Sequence, residues 1–140
     1  MNSIQKVALY MRLSKEDLDK GNAESESIQN QRMILDEYAS SHGWEIYDHY
    51  IDEDFSGSDR SRPDFNRMID DAKNGKFNIV LVKTQSRFAR DIKVVEDYIH
   101  NLFKEKKIRF VSALEGIDTM RSDSELSSHI HAVFEETQLT

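Results

Sequence analysis

Apolar residues fall in short blocks along the chain, and the period within each block alternates between strand-like and helix-like. Ile4 to Leu13 contains the run Val7-Ala8-Leu9-Tyr10-Met11 and predicts a buried strand. Residues 14–26 are polar, with a Gly21-Asn22 turn signal, and predict a loop. Ser27 to His42 places Ile28, Ile34, Leu35, Tyr38 and Ala39 on an approximate helical stripe, which Gly43 closes. Trp44 to Ile51 alternates and predicts a second strand, followed by a loop from Asp52 to Ser61. Pro63 suits the first turn of a helix that Phe65, Met68, Ile69 and Ala72 carry to about Asn74, with Gly75 ending it. Asn78 to Lys83 predicts a third strand. Residues 91–107 predict a helix with Val94, Val95, Tyr98, Ile99, Leu102 and Phe103 on one side, and Ile108 to Ser112 a fourth strand. Ser122-Asp123-Ser124-Glu125 is a capping-box pattern ahead of Leu126, Ile130, Val133 and Phe134 at helical spacing.

Strands that alternate with helices predict an α/β fold in three layers: a mainly parallel sheet with helices on both faces, here ending in a long C-terminal helix. In such folds the site forms outside the carboxyl ends of the strands. That rule selects Arg12-Leu13-Ser14, Asp52 to Arg62, and Lys83 to Arg90. The length, 140 residues, suits one core. Cysteine is absent, which excludes disulfides and thiolate metal sites. Every apolar run is far shorter than the ~20 residues that span a bilayer, and no signal-peptide pattern opens the chain, so a cytoplasmic location without membrane contact is expected.

The net charge of −7 argues against a nucleic-acid partner until the chain is divided. Residues 1–55 hold five basic and twelve acidic groups, residues 56–93 nine basic and five acidic, and residues 94–140 five basic and nine acidic. The basic excess sits in one central segment. A local cationic site can hold one phosphate, while most DNA affinity would come from elsewhere.

Three groups of residues converge on the predicted site edge. Arg12 and Ser14 are two apart, so on a strand they point the same way: a hydroxyl beside a guanidinium. Alone, Ser14 reads as a serine that ends a strand. In Lys83-Thr84-Gln85-Ser86-Arg87-Phe88-Ala89-Arg90-Asp91, Arg87 and Arg90 are three apart, hence neighbours if the turn is helical, with Phe88 as an apolar anchor between them. Guanidiniums bind phosphate oxygens bidentately and stay charged at any working pH. Asp54 to Pro63 mixes small hydroxyls, glycine and arginines in a long loop, as suits a plain connection or a segment that closes over substrate.

Together these groups resemble one family over nearly the whole chain: the serine recombinases of the resolvase/invertase type. The marks are Tyr10-x-Arg12-x-Ser14, Ser27-x-x-x-Gln31, Ser56-Gly57 leading to Arg62-Pro63, and Ser86-Arg87-Phe88-x-Arg90-Asp91, in order and in register. The resemblance implies a resolvase-like fold and a serine nucleophile, Ser14, that attacks double-stranded DNA. The DNA is then held through a covalent 5′-phosphoserine, and a 3′-hydroxyl is released. It implies homodimers that assemble to a tetramer on DNA, exchange strands and religate, with neither metal, ATP nor small-molecule cofactor. Arg12, Arg62, Arg87 and Arg90 match the positions that meet the phosphate charge; Gln31, Ser56, Ser86 and Tyr10 match supporting positions. Serine rather than aspartate at residue 86, and the long acidic segment 15–26, resemble the large serine recombinases of integrase and conjugative-transposon type. The expected division is a catalytic domain over 1–121 and the start of an interface or linker helix over 122–140, with the family's DNA-binding region absent from this chain. Glu135-Glu136-Thr137-Gln138 departs from the family pattern, and no catalytic residue is assigned there. No histidine falls in these motifs, so the general base is unassigned.

Two other readings compete. Asp52, Glu53 and Asp54 at a strand end could hold Mg²⁺ in a metal-dependent nuclease. A doubly wound binding module such as a signalling receiver needs a phospho-accepting aspartate, but the third strand ends in Lys83-Thr84. His129 and His131 diverge on a helix and make a poor metal pair.

Overall fold

Strand β1 (Lys6–Ser14) occupies the interior of the sheet, and the chain winds away from it to either side. In this computed structural model, residues 4–14, 27–54, 62–120 and Ile130 are described. The elements after β1 are α1 (Ile28–Ser41), β2 (Glu45–Asp54), α2 (Pro63–Lys73), β3 (Ile79–Val82), the short α3 (Gln85–Phe88), α4 (Ile92–Tyr98), β4 (Arg109–Ser112) and β5 (Ile117–Asp118). The strand order is β2-β1-β3-β4-β5. The first four strands are mutually parallel and β5 is antiparallel to β4. The order reverses between β1 and β3, so these two strands flank the crevice where α/β folds place their ligands.

Period-two alternation along β1 divides the core. Val7, Leu9 and Met11 pack with Leu35, Ala39 and Trp44 from α1 and the turn after it. Ala8 and Tyr10 pack on the opposite face with Phe65 and Met68 of α2 and Val95 of α4. Helices therefore cover both faces, as the alternation of elements predicts. Helix α1 starts at an N-cap, Ser27, whose hydroxyl accepts from Asn30 N at 3.0 Å, and Asp91 caps α4 through Lys93 N at 2.9 Å.

Three features depart from the sequence reading, and a fourth expectation is described at one residue. β2 runs through Asp54 instead of giving way to a loop at Asp52, and Arg12, Leu13 and Ser14 pair with Asp52, Glu53 and Asp54. Acidic residues survive in this strand because it lies at the sheet edge and its buried member, Asp52, is fully engaged by donors. β5 has only two residues, too few to show a period; a bidentate Arg109–Asp118 pair at 2.9 and 2.7 Å holds it to β4. The helix after Asp91 passes into a π-helical turn, Ile99–Phe103. Val95, Ile99 and Phe103 are buried at spacings of four, while Val94, placed on the stripe by its sequence, is 37% exposed. Of the terminal helix expected over 122–140, Ile130 alone is described: it is helical and buried, and the rest, with His129 and His131, lies outside the described residues.

The outer edge of β2 is covered by α2. Ile51 N donates to Asp64 Oδ2 at 2.8 Å. Arg67 donates to the His49 carbonyl at 3.4 Å and to Asp48 at 2.7 Å, its guanidinium 4.2 Å from the Tyr50 ring centroid.

Candidate active site

Arg12, near the C-terminal end of β1, is 3% exposed. Its Nε donates to the Arg87 carbonyl at 3.2 Å and its Nη2 to the Ser86 carbonyl at 2.5 Å. Arg87 answers: its Nη1 donates to the Arg12 carbonyl at 3.1 Å. The two arginines thus grip each other's main chain across the crevice between β1 and β3. Gln31 of α1 adds a second two-way contact, accepting from Arg12 N at 3.2 Å and donating to Arg12 O at 2.9 Å. A buried glutamine satisfies both ends of its amide this way, which explains a polar residue on the inner face of α1.

Phe88 anchors the arginine turn. It is fully buried and meets Phe65, Tyr98, Phe103 and Phe110 edge-to-face, with centroids 5.1–5.8 Å apart. The helix around it stops at Phe88, and Ala89 is extended. Arg87 and Arg90 therefore do not share a helical face, contrary to the expectation from their spacing: Arg87 is buried and Arg90 is exposed.

Arg62 sits at the start of α2. Its Nε donates to the Tyr10 hydroxyl at 3.2 Å, its Nη2 to the Phe88 carbonyl, and its guanidinium lies 3.7 Å from the Phe65 ring centroid. The Tyr10 hydroxyl in turn donates to Asp52 Oδ2 at 2.8 Å. Burial, opposed by the Arg62 charge and aided by Asp52, pushes the Tyr10 phenol far above its usual range, so it stays protonated, accepting from Arg62 and donating to Asp52. Asp52 also accepts from Asp64 N at 3.0 Å and Phe65 N at 2.9 Å, capping α2 from a neighbouring strand. Both carboxylate oxygens are thus engaged by N–H and O–H donors of the fold itself, and the side chain of Asp54, the third acid of the alternative metal set, lies outside the described residues. Glu53 is exposed. Among the described residues no cluster of three His, Asp or Glu side chains could hold a metal ion.

The backbone of Ser14 ends β1 in register with Asp54; its side chain and the whole of Ser56 lie outside the described residues. Ser86 lends its carbonyl to Arg12, and its hydroxyl is 3.0 Å from that of Thr84. The structure thus brings Tyr10, Arg12, Gln31, Arg62, Ser86 and Arg87 to one edge with the Ser14 main chain.

Sequence reasoning missed Glu115 at this edge, and it placed Lys83 there without a role. Lys83 is 5% exposed and donates to Asn30 Oδ1 at 3.1 Å. Glu115 accepts from Gln85 N and from Ser112 Oγ, each at 2.6 Å, capping α3. The signal for Lys83 was present: a lysine directly after the buried run Ile79–Val82 has little room to leave the core.

Comparisons with known proteins agree on what this arrangement is similar to. The profile of the family described as "Resolvase, N terminal domain" matches residues 7–140. The crystal structure of the N-terminal catalytic domain of TP901-1 integrase is 32% identical, covers 96% of this chain and 97% of its own, and superposes with a TM-score of 0.74. A resolvase family site-specific recombinase from Streptococcus pneumoniae is 28% identical over 96% of this chain and 88% of its own, with a TM-score of 0.69. Among curated proteins, the uncharacterized immunity region protein 3 of Bacillus phage phi105 is 36% identical over 74 residues, 53% of this chain and 87% of that protein.

Proposed function

The chain belongs to the resolvase family of serine recombinases, and on that premise we propose that Ser14 is the nucleophile of a covalent DNA-cleaving site. Its Oγ attacks the scissile phosphorus of double-stranded DNA, forming a 5′-phosphoserine bond as the P–O3′ bond breaks. The departing oxygen becomes a 3′-hydroxyl, and religation is the reverse. Bond energy is kept in the phosphoserine, so the step needs no ATP, and the charge a metal could meet is left to arginines. Arg12, Arg62, Arg87 and Arg90 meet the charge that grows on the phosphate oxygens. Tyr10, Gln31, Ser56 and Ser86 support them.

One observation carries this reading. The reciprocal hold between Arg12 and Arg87 joins the ends of β1 and β3, two residues before Ser14. It concentrates positive charge where an α/β crevice binds its ligand. We further propose that residues 1–121 form the catalytic unit and that 122–140 begin a helix through which copies pair into dimers, which assemble to a tetramer on DNA in the cytoplasm. Ser86, the segment 15–26 and the likeness to TP901-1 integrase support membership of the large-recombinase branch.

The test uses the intact recombinase that carries this domain, on a duplex of its recombination site. Ser14→Ala abolishes the covalent protein–DNA adduct seen on denaturing gels. An adduct that persists in Ser14→Ala overturns the assignment.

A further inference from the structure

The groove at the amino-terminal end of β4 takes no part in the reaction above. Its volume is about 310 Å³, at the lower end of the range for small-ligand sites. Val7 pairs with Ile79, and Ile79 with Arg109 in the groove wall, so the groove is level with the start of β1. It lies about 16 Å before Arg12 along the strand direction, at the end of the sheet opposite the arginine crevice. Two uncommon backbone features form its wall. The π-helical turn contributes Ile99, His100 and Phe103, and Lys104 follows directly. Such turns are rare and recur at functional sites. Lys107 has φ 57°, the left-handed region in which glycine or asparagine usually terminates a helix. The closing bonds there are main-chain bonds, Ile108 N to the Phe103 carbonyl at 2.7 Å and Lys107 N to the Lys104 carbonyl at 3.2 Å. Glycine would make both with less strain. What lysine adds is a cation on the groove. Among the described residues, His100, Lys104 and Lys107 have no ion pair or side-chain hydrogen bond, and no carboxylate lines the groove. Arg109 is committed to Asp118. Met120 also lines the groove and is 73% exposed. Unpaired cations beside an exposed, adaptable thioether suit a ligand that is both anionic and apolar. A duplex fits poorly: residues 94–140 hold nine acidic groups against five basic ones in a chain of net charge −7, so the surrounding body repels a long polyanion. A short acidic peptide meets the local cations alone.

We propose that this groove docks an acidic peptide segment of a protein partner. Carboxylates of the segment meet Lys104 and Lys107 beside the His100 imidazole, and an apolar side chain between those carboxylates covers Met120. The contact is independent of the chemistry assigned to Ser14, which belongs to the other end of the sheet.

The experiment follows the fluorescence anisotropy of a labelled Glu-Glu-Leu-Glu-Glu peptide titrated with the intact recombinase. Saturable binding is expected, weakening as salt rises from about 50 mM to about 500 mM. Lys104→Gln and Lys107→Gly should each weaken it about twofold to fivefold, the range for one exposed ion pair. Lys107→Gly also separates docking from folding. Glycine relaxes the backbone at φ 57°, so Tm should hold or rise while binding falls. A lower Tm with unchanged binding would mark a purely structural lysine and overturns the proposal. Lys104→Gln, at an exposed position, is the variant read if Lys107→Gly fails to fold. Replacing the leucine of the peptide by alanine should weaken binding, and replacing its glutamates by glutamines should abolish it. Equal binding of the glutamine peptide, or equal binding by the parent and both lysine variants, overturns the proposal. Absence of peptide binding overturns it too. In that case, affinity for a random duplex that falls in Lys107→Gly gives the groove to nucleic acid, and self-association lost in Lys107→Gly gives it to a second copy of this chain.

Discussion

At the scale of single residues, Asp52 and Tyr10 show how one buried carboxylate organises several others. Asp52 receives the Tyr10 hydroxyl and two N–H groups of α2, and Tyr10 receives Arg62. Tyr10→Phe deletes the shared hydroxyl and leaves Asp52 one donor short. Urea denaturation should show a loss of about 1–3 kcal/mol, the range for disrupting a buried hydrogen bond to a charged group. Because Arg62 also loses an acceptor, adduct formation should fall as well. Phe88→Ala acts differently: it empties a site ringed by four aromatic side chains and should cost about 3–5 kcal/mol. Since Arg87 precedes Phe88, the same change loosens the arginine turn, and activity should drop further than Tyr10→Phe drops it.

At the scale of elements, β2 and α2 are strapped together by Asp48, Asp64 and Arg67. Burial works against ionisation of Asp48, but the Arg67 hydrogen bond, the His49 N–H and the nearby charges outweigh it and hold its carboxyl below the usual range. A carboxyl depressed in the folded state contributes stability that is present above its unfolded pKa of about 4 and is lost as pH falls through the folded value. Asp48→Asn should therefore reduce stability at neutral pH and flatten the acid limb of a stability-versus-pH curve. The pair is nearly half exposed, so the effect should stay within about 1 kcal/mol. The strands and helices themselves were legible from sequence because their apolar periods are long: β1, α1 and α2 begin and end within a few residues of where their patterns place them. What stayed hidden was fixed by distant partners. Asp52 reads as a loop acid until the N-terminus of α2 is brought to it, and Ile117-Asp118 is a strand through its pairing with Val111 and Ser112 of β4, which the Arg109–Asp118 pair reinforces. The motif spacing located Arg12, Gln31, Arg62 and Arg87, yet it could not show that Arg12 and Arg87 hold each other's carbonyls, since that needs the β1–β3 adjacency.

At the scale of the whole molecule, an acidic body carries a cationic crevice. With a net charge of −7, the chain has little sequence-independent attraction for a polyanion. By itself it should bind a random duplex at 150 mM salt no more tightly than about 10⁻⁴ M, the weak limit of non-specific association, measured by fluorescence anisotropy. On the proposed mechanism, in which arginines meet the cleavage charge, adduct formation by the intact recombinase should be unchanged by EDTA; a loss of adduct would favour the metal-dependent reading. The covering of β2 by Asp64 and Arg67 has a consequence of another kind. Where Ile51 N and the His49 carbonyl are already taken by Asp64 and Arg67, the middle of this edge strand is a poor template for another chain to zip onto. A surface that meets this stretch of the edge does so through the side chains of α2 in front of the strand's main chain.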